Sequence, residues 1–130
     1  MNLKNYFSEK TGTGVLATSN SSGVVNTALY ARPYVLDNGN VAFVMRDRLS
    51  HHNLQENGHA AYLFKENTTG GANGIRLQLK LTGEYTDHEV LNLPSRRTGG
   101  EYSDDEKRFL VTFEVAKCFN LVGGAVIETE

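Results

Sequence analysis

The clearest pattern in the chain is a strict alternation, with Ile75, Leu77, Leu79 and Leu81 apolar and Arg76, Gln78, Lys80 and Thr82 polar. Successive side chains of a strand point to opposite faces, so this spacing predicts a strand with one face in a core and one in water. Leu110 to Ala116 repeats the signal, with Val111, Phe113 and Val115 set against Thr112 and Glu114. Val41 to Met45 and Ala60 to Phe64 are continuous apolar runs, too short for helices, and read as buried strands. Gly14 to Thr18 is another short strand. Val24 to Leu36, rich in Val, Thr and Tyr, reads as a long one. Proline has no N–H to give to a ladder, so this strand is expected to bend, bulge or run along an edge at Pro33.

Turn residues punctuate these segments. Ser21-Ser22-Gly23 marks one turn, and Asp37-Asn38-Gly39-Asn40 is a hairpin signal joining the long strand to Val41 to Met45. Three short helices complete the reading. Asn2 caps the first, which places Leu3, Tyr6 and Phe7 on one face and stops near Gly12. The second begins with Ser50 as its cap and Leu49 and Leu54 as a hydrophobic staple, and ends at Asn57-Gly58. A third starts at Thr86 or Asp87, runs through Val90, Leu91 and Leu93, and ends at Pro94, followed by a mobile loop from Arg96 to Asp105. About six strands joined by hairpins predict a mainly β fold, an antiparallel sheet closed into a barrel, because closure removes exposed edges.

Length and charge narrow the picture. A chain of 130 residues is expected to form one domain, 1–130, with a core that needs neither disulfides nor a structural metal. Thirteen basic residues against fifteen acidic ones, with no basic stripe, argue against nucleic acid as a partner. The apolar runs are too short to cross a bilayer, and Met1 to Tyr6 lacks a signal-peptide core, so no membrane association and a cytoplasmic location are expected. Cys118, the only cysteine, is expected to pack in a strand as a small hydrophobe.

Most familiar chemistry is missing. Gly12-Thr13-Gly14 and Gly70-Gly71-Ala72-Asn73-Gly74 lack the remaining residues of dinucleotide or phosphate loops. His51 and His52, adjacent on a helix, point about 100° apart and are not expected to share a metal. No serine lies in a nucleophile elbow. What stands out is Met45-Arg46-Asp47-Arg48-Leu49-Ser50-His51-His52-Asn53-Leu54, where a buried strand runs through a basic turn into a helix. A helix start leaves N–H groups unpaired and carries positive potential, and two guanidinium groups add charge and forked donors, which suits a phosphate. The other reading is two solvated arginines paired with Asp47. The long strand carries Asn26, Thr27, Tyr30 and Arg32, suited to the polar edge of a flat ring or simply to strand pairing.

Four segments together resemble the pyridoxamine 5′-phosphate oxidase-like family of FMN-binding split barrels: Gly14 to Thr18, Val25 to Pro33, Val41 to Leu54, and Ala60 to Phe64. The likeness is close over residues 12 to 65. It implies a six-stranded antiparallel split barrel that forms a homodimer, with FMN in the groove between subunits. On this chain it would place Asn26, Thr27 and Ala28 beside the flavin ring and Met45 and Arg46 at the strand exit. Arg48 and Ser50 would hold the phosphate, with Arg32 and Asn53 as further candidates. Many relatives carry a lysine in the phosphate turn where this chain has Leu49 and Ser50. The chain also has no tryptophan, and ends at Ile127-Glu128-Thr129-Glu130 without the segment that completes the vitamin site of true pyridoxamine phosphate oxidases. The expectation is therefore an FMN-binding flavoprotein, a small oxidoreductase or electron carrier, with no residue standing out as a general acid or base. Two alternatives remain open. One is the same barrel holding deazaflavin or haem, the latter drawing on His51, His52, His59 or His88, each read as a surface histidine. The other is a ligand-free interaction or nucleic-acid module.

Overall fold

A computed structural model describes residues 1–86 and 107–130. Asn2 caps the first helix, α1 (Leu3–Glu9), by accepting a hydrogen bond from the Asn5 N–H at 3.0 Å, and Leu3 and Phe7 are buried beneath it. The strands are β1 (Gly12–Ser19), β2 (Val25–Leu29), β3 (Tyr34–Val35), β4 (Val41–Arg46), β5 (His59–Glu66), β6 (Gly74–Tyr85) and β7 (Arg108–Asn120), and helix α2 (Leu49–Glu56) lies between β4 and β5. They form one antiparallel sheet in the order β2-β1-β5-β6-β7-β4-β3. The expected third helix at Thr86 to Pro94, the loop from Arg96 to Asp105 and His88 fall at or within the stretch outside the described residues, 87–106.

The sheet has seven strands rather than six, and the reason is local. The segment expected as one long strand is broken at residues 30–33, so its first half pairs with β1 and its second half with β4, at opposite ends of the sheet. Five residue steps span at most about 18 Å, so the two ends of the sheet must lie near each other, and the break is the corner that closes the barrel. Pairing ends at Leu29 and resumes at Tyr34, directly after Pro33, which cannot donate to a ladder. The corner is fastened on two sides. The Tyr30 N–H donates to the Gly14 carbonyl at 3.0 Å, and the Tyr62 hydroxyl donates to the Tyr30 carbonyl at 3.0 Å. Gly14 is needed at this point because a Cβ would collide with the Tyr62 hydroxyl and the Tyr30 carbonyl.

Inside the barrel, Leu16, Val41, Phe43, Met45, Tyr62, Phe64, Ile75, Leu77, Leu79, Val111 and Phe113 are buried together. The aromatic rings meet largely edge to face, with Phe7 against Phe64 at 5.5 Å, Phe43 against Phe113 at 6.0 Å and Tyr30 against Phe43 at 5.9 Å between centroids. Cys118 is buried in β7, and burial raises its thiol above the ordinary value. Among the described residues no helix is long and apolar enough to cross a membrane.

Two tyrosines give the fold an alkaline limit. Burial raises Tyr62, and burial together with the 2.7 Å hydrogen bond that Tyr6 donates to Glu66 raises Tyr6, both far above the ordinary 10.0. A group whose folded value lies above its unfolded one contributes stability that is fully present below the unfolded value and is lost as pH rises through the folded value. Stability should therefore hold to about pH 10 and fall steadily above it, read as a declining urea midpoint. Replacing Tyr6 by Phe should flatten that decline.

Candidate functional site

Strand β4 carries Phe43 and Met45 into the core and leaves the barrel at Arg46, which turns to the other face. Directly opposite Arg46 in the ladder is Arg108, the first residue of β7. Paired residues show their side chains on one face about 5 Å apart, so two guanidinium groups emerge together. Arg48 adds a third two residues later. A tight turn follows in which the Arg48 N–H donates to the Arg46 carbonyl at 2.9 Å, and the Arg48 carbonyl accepts the first helical bond from the His52 N–H at 2.9 Å. Arg48 is thus the N-cap of α2, in an extended conformation, and its own side chain makes no capping hydrogen bond. Its first-turn N–H groups are directed to the side from which the chain enters, beside Arg48.

This corrects the expected start of the helix. Ser50 is not the cap but lies inside the first turn, 4% exposed. Leu49, expected just before the cap, is the first helical residue and stays 55% exposed while Leu54 is core, so the staple spacing is not realised. The cause is the Arg46–Arg48 turn, which starts the helix earlier than side-chain preference suggests. At the other end the expected stop holds, with Asn57 as the C-cap.

Asp47, between the arginines, turns to histidines. Its Oδ1 lies 3.1 Å from His51 Nδ1 and 3.0 Å from His52 Nε2, and these bonds, the His51 one foremost, hold its carboxyl below the usual range. His51 is not the surface histidine expected. It is buried, stacks on Phe109 at 4.0 Å with an 11° interplanar angle, and bonds Glu84 through Nε2. Glu84 reaches it because of a bulge. Leu81 pairs with Phe113 and Gly83 with Thr112, so Thr82 is extra and Glu84 comes to lie opposite Val111, on the inner side of the sheet.

On the neighbouring side, Asn26 and Ala28 of β2 pair with Thr18 and Leu16, so they share the inner face, while Thr27 points outward with Val25 and Leu29. The Asn53 amide, buried in α2, donates to Thr18 Oγ1 at 3.1 Å. Helix α2 is thereby fixed against the strand that pairs with Asn26, so the basic turn's helix and the second strand do come together. Other candidates are used differently. Met45 is core, and Arg32 Nη1 donates to the carbonyls of Phe7 and Lys10 at 2.9 and 2.8 Å, closing the end of α1. Nothing in the sequence alone points to Arg108 or Glu84. Arg108 lies 62 positions from its ladder partner Arg46 and Glu84 lies 33 from His51, and only the sheet joins them.

No family model and no curated protein matches the chain. Solved structures do. An FMN-binding protein from Syntrophomonas wolfei subsp. wolfei superposes with a TM-score of 0.68 at 14% identity, covering 95% of this chain and 86% of its own. A protein assigned as a pyridoxamine 5′-phosphate oxidase from Lactobacillus delbrueckii gives 0.65 at 16%, covering 90% and 89%. The flavin reductase of styrene monooxygenase from Pseudomonas putida S12 gives 0.58 at 12%, covering 90% and 85%. The fold of this chain is that of the FMN-binding and pyridoxamine 5′-phosphate oxidase-like split barrels.

Proposed function

We propose that this chain is an FMN-binding flavoprotein, acting as a small oxidoreductase or electron carrier. The observation that carries the reading is that Arg46, Arg108 and Arg48 share one strand exit with the start of α2, whose N-cap is Arg48 itself. This donor set fits a phosphate monoester, since guanidinium forks and backbone N–H groups are the groups that hold one. Arg46, Arg48 and the first-turn N–H groups would bind the phosphate. Asn26 would offer its amide and Ala28 a small apolar surface to the edge of a flavin ring, and Thr27, whose side chain points to the other face, would contribute through its backbone groups. A bound flavin supplies the redox chemistry, while the chain orients it and sets its electrostatic surroundings. The flavin-related neighbours of the same fold support this reading.

The partner in this proposal is a second copy of the chain. On the outer face, Leu29, Val15 and Leu63 form one row across β2, β1 and β5, and Val25 and Leu29 are 74% and 76% exposed. An exposed apolar row beside an edge strand is the kind of surface a symmetric dimer covers. Absorption spectra of the purified protein, titration with FMN and solution mass test both parts together. The expected result is flavin absorbance, quenching of FMN fluorescence on binding, and a mass near twice 14.3 kDa. A colourless protein that leaves FMN fluorescence unchanged would overturn the reading, and a Soret band would redirect it to haem.

A further inference from the structure

His51 stands where the site's geometry is decided. Its Nδ1 faces Asp47 and its Nε2 faces Glu84, so both ring nitrogens meet carboxylates. A carboxylate only accepts, and a neutral imidazole has one N–H, so the doubly protonated ring alone satisfies both partners. The ring joins three elements. It belongs to the first turn of α2, Asp47 to the basic turn, and Glu84 to the bulged end of β6, while Phe109 of β7 stacks on its face.

We propose that His51, as an imidazolium, is the positioning residue of the anion seat: it ties the first turn of α2 to β6 and holds the Asp47 carboxylate on the histidine side. The inference rests on the anion-binding reading above. When the ring loses a proton, one carboxylate faces a lone pair and turns away. If that carboxylate is Asp47, it swings beside Arg46 and Arg48 and competes with the bound anion. If it is Glu84, the helix start loses its tie to the sheet. Either way, anion affinity falls as pH rises. The other described groups around the ring are His52, at 6.3 Å between centroids, Gln55, whose Nε2 lies 3.5 Å from His51 Nε2, and Lys107, whose Nζ lies 5.6 Å from the centroid of the Phe109 ring.

A simple pH profile of FMN binding is insufficient, because a phosphate monoester gains its second charge near pH 6, which strengthens binding in the opposite direction. The Glu84→Gln variant removes this ambiguity. It sees the same ligand charge, but its amide leaves the ring without the second carboxylate. As the ring loses its proton with rising pH, the ratio of wild-type to Glu84→Gln affinity for FMN should fall about tenfold, the scale of one charge-assisted hydrogen bond. A His52→Gln control should leave that ratio's pH dependence in place. In the ligand-free protein, the protection of the first-turn amides of α2, corrected for the intrinsic base catalysis of exchange, should fall with pH in the wild type and not in Glu84→Gln. Identical pH profiles for the two proteins in both measurements overturn the proposal. If FMN binds neither protein at any pH, the functional reading fails, and the ligand-free exchange then decides the tie by itself.

Discussion

Replacing Tyr62 by Ala should cost about 3–5 kcal/mol of folding stability, the range for deleting a large buried ring. The ring is fully buried and meets Phe43 at 5.0 Å, Phe7 at 6.2 Å and Phe64 at 6.4 Å between centroids, so its loss opens a cavity between α1, β4 and β5. Its hydroxyl also fastens the Tyr30 carbonyl at the corner that closes the barrel. A domain stable by about 5–15 kcal/mol would lose a large fraction of that margin. Urea unfolding followed by circular dichroism reads the effect. Tyr62→Phe separates the two contributions, since it keeps the ring and removes only the corner bond, and should cost about 1–3 kcal/mol. Equal losses in the two variants would mean that the ring's packing adds nothing beyond the hydroxyl.

Much of this architecture is legible in the sequence because it rests on period-two patterning. The inner face of β6 is the alternating set Ile75, Leu77, Leu79 and Leu81, and the run at Val41 is a buried strand as its composition suggests, whereas the run at Ala60 is buried on one face only, with Tyr62 and Phe64 inside and Ala61 and Leu63 exposed. The bend at Pro33 was readable too, but its consequence was not. A single chain reading shows one long strand, whereas pairing with β1 before the corner and β4 after it makes two. The failures share a cause in contacts between distant segments. A bulge at Thr82 inverts the faces beyond it and sends Glu84 inward, which no alternation count up to Leu81 can reveal. His51 looked like a surface residue because neither Glu84 nor Phe109 is near it in sequence. Capping preference pointed to Ser50, yet preference is a weak local term beside the turn that makes Arg48 the cap. In the site, the basic turn and its helix were visible as a pattern. The cross-strand Arg108 was not, since ladder register alone sets it opposite Arg46.

That register leads to the largest expected effect on binding. Arg48→Gln and Arg46→Gln each keep a polar, though shorter, side chain and remove a full charge and its paired donors. A charge-assisted hydrogen bond contributes about 1.5–3 kcal/mol, so each variant should weaken FMN binding by about ten- to a hundredfold. Riboflavin is the informative comparison because it has the same ring without the phosphate. Its affinity should be weak for wild type and nearly unchanged in both variants, so the preference for FMN over riboflavin should shrink by the factor lost in FMN binding. Higher ionic strength should weaken FMN binding more in wild type than in the variants, because part of the attraction between exposed charges is screened. Fluorescence titration of both ligands, with circular dichroism to verify that each variant is folded, makes the measurement. If FMN and riboflavin lose affinity equally, the arginines support the fold around the ring and the phosphate is held elsewhere. If FMN alone loses affinity, with Arg108→Gln behaving like Arg46→Gln, the seat spans both strands of the β4–β7 ladder.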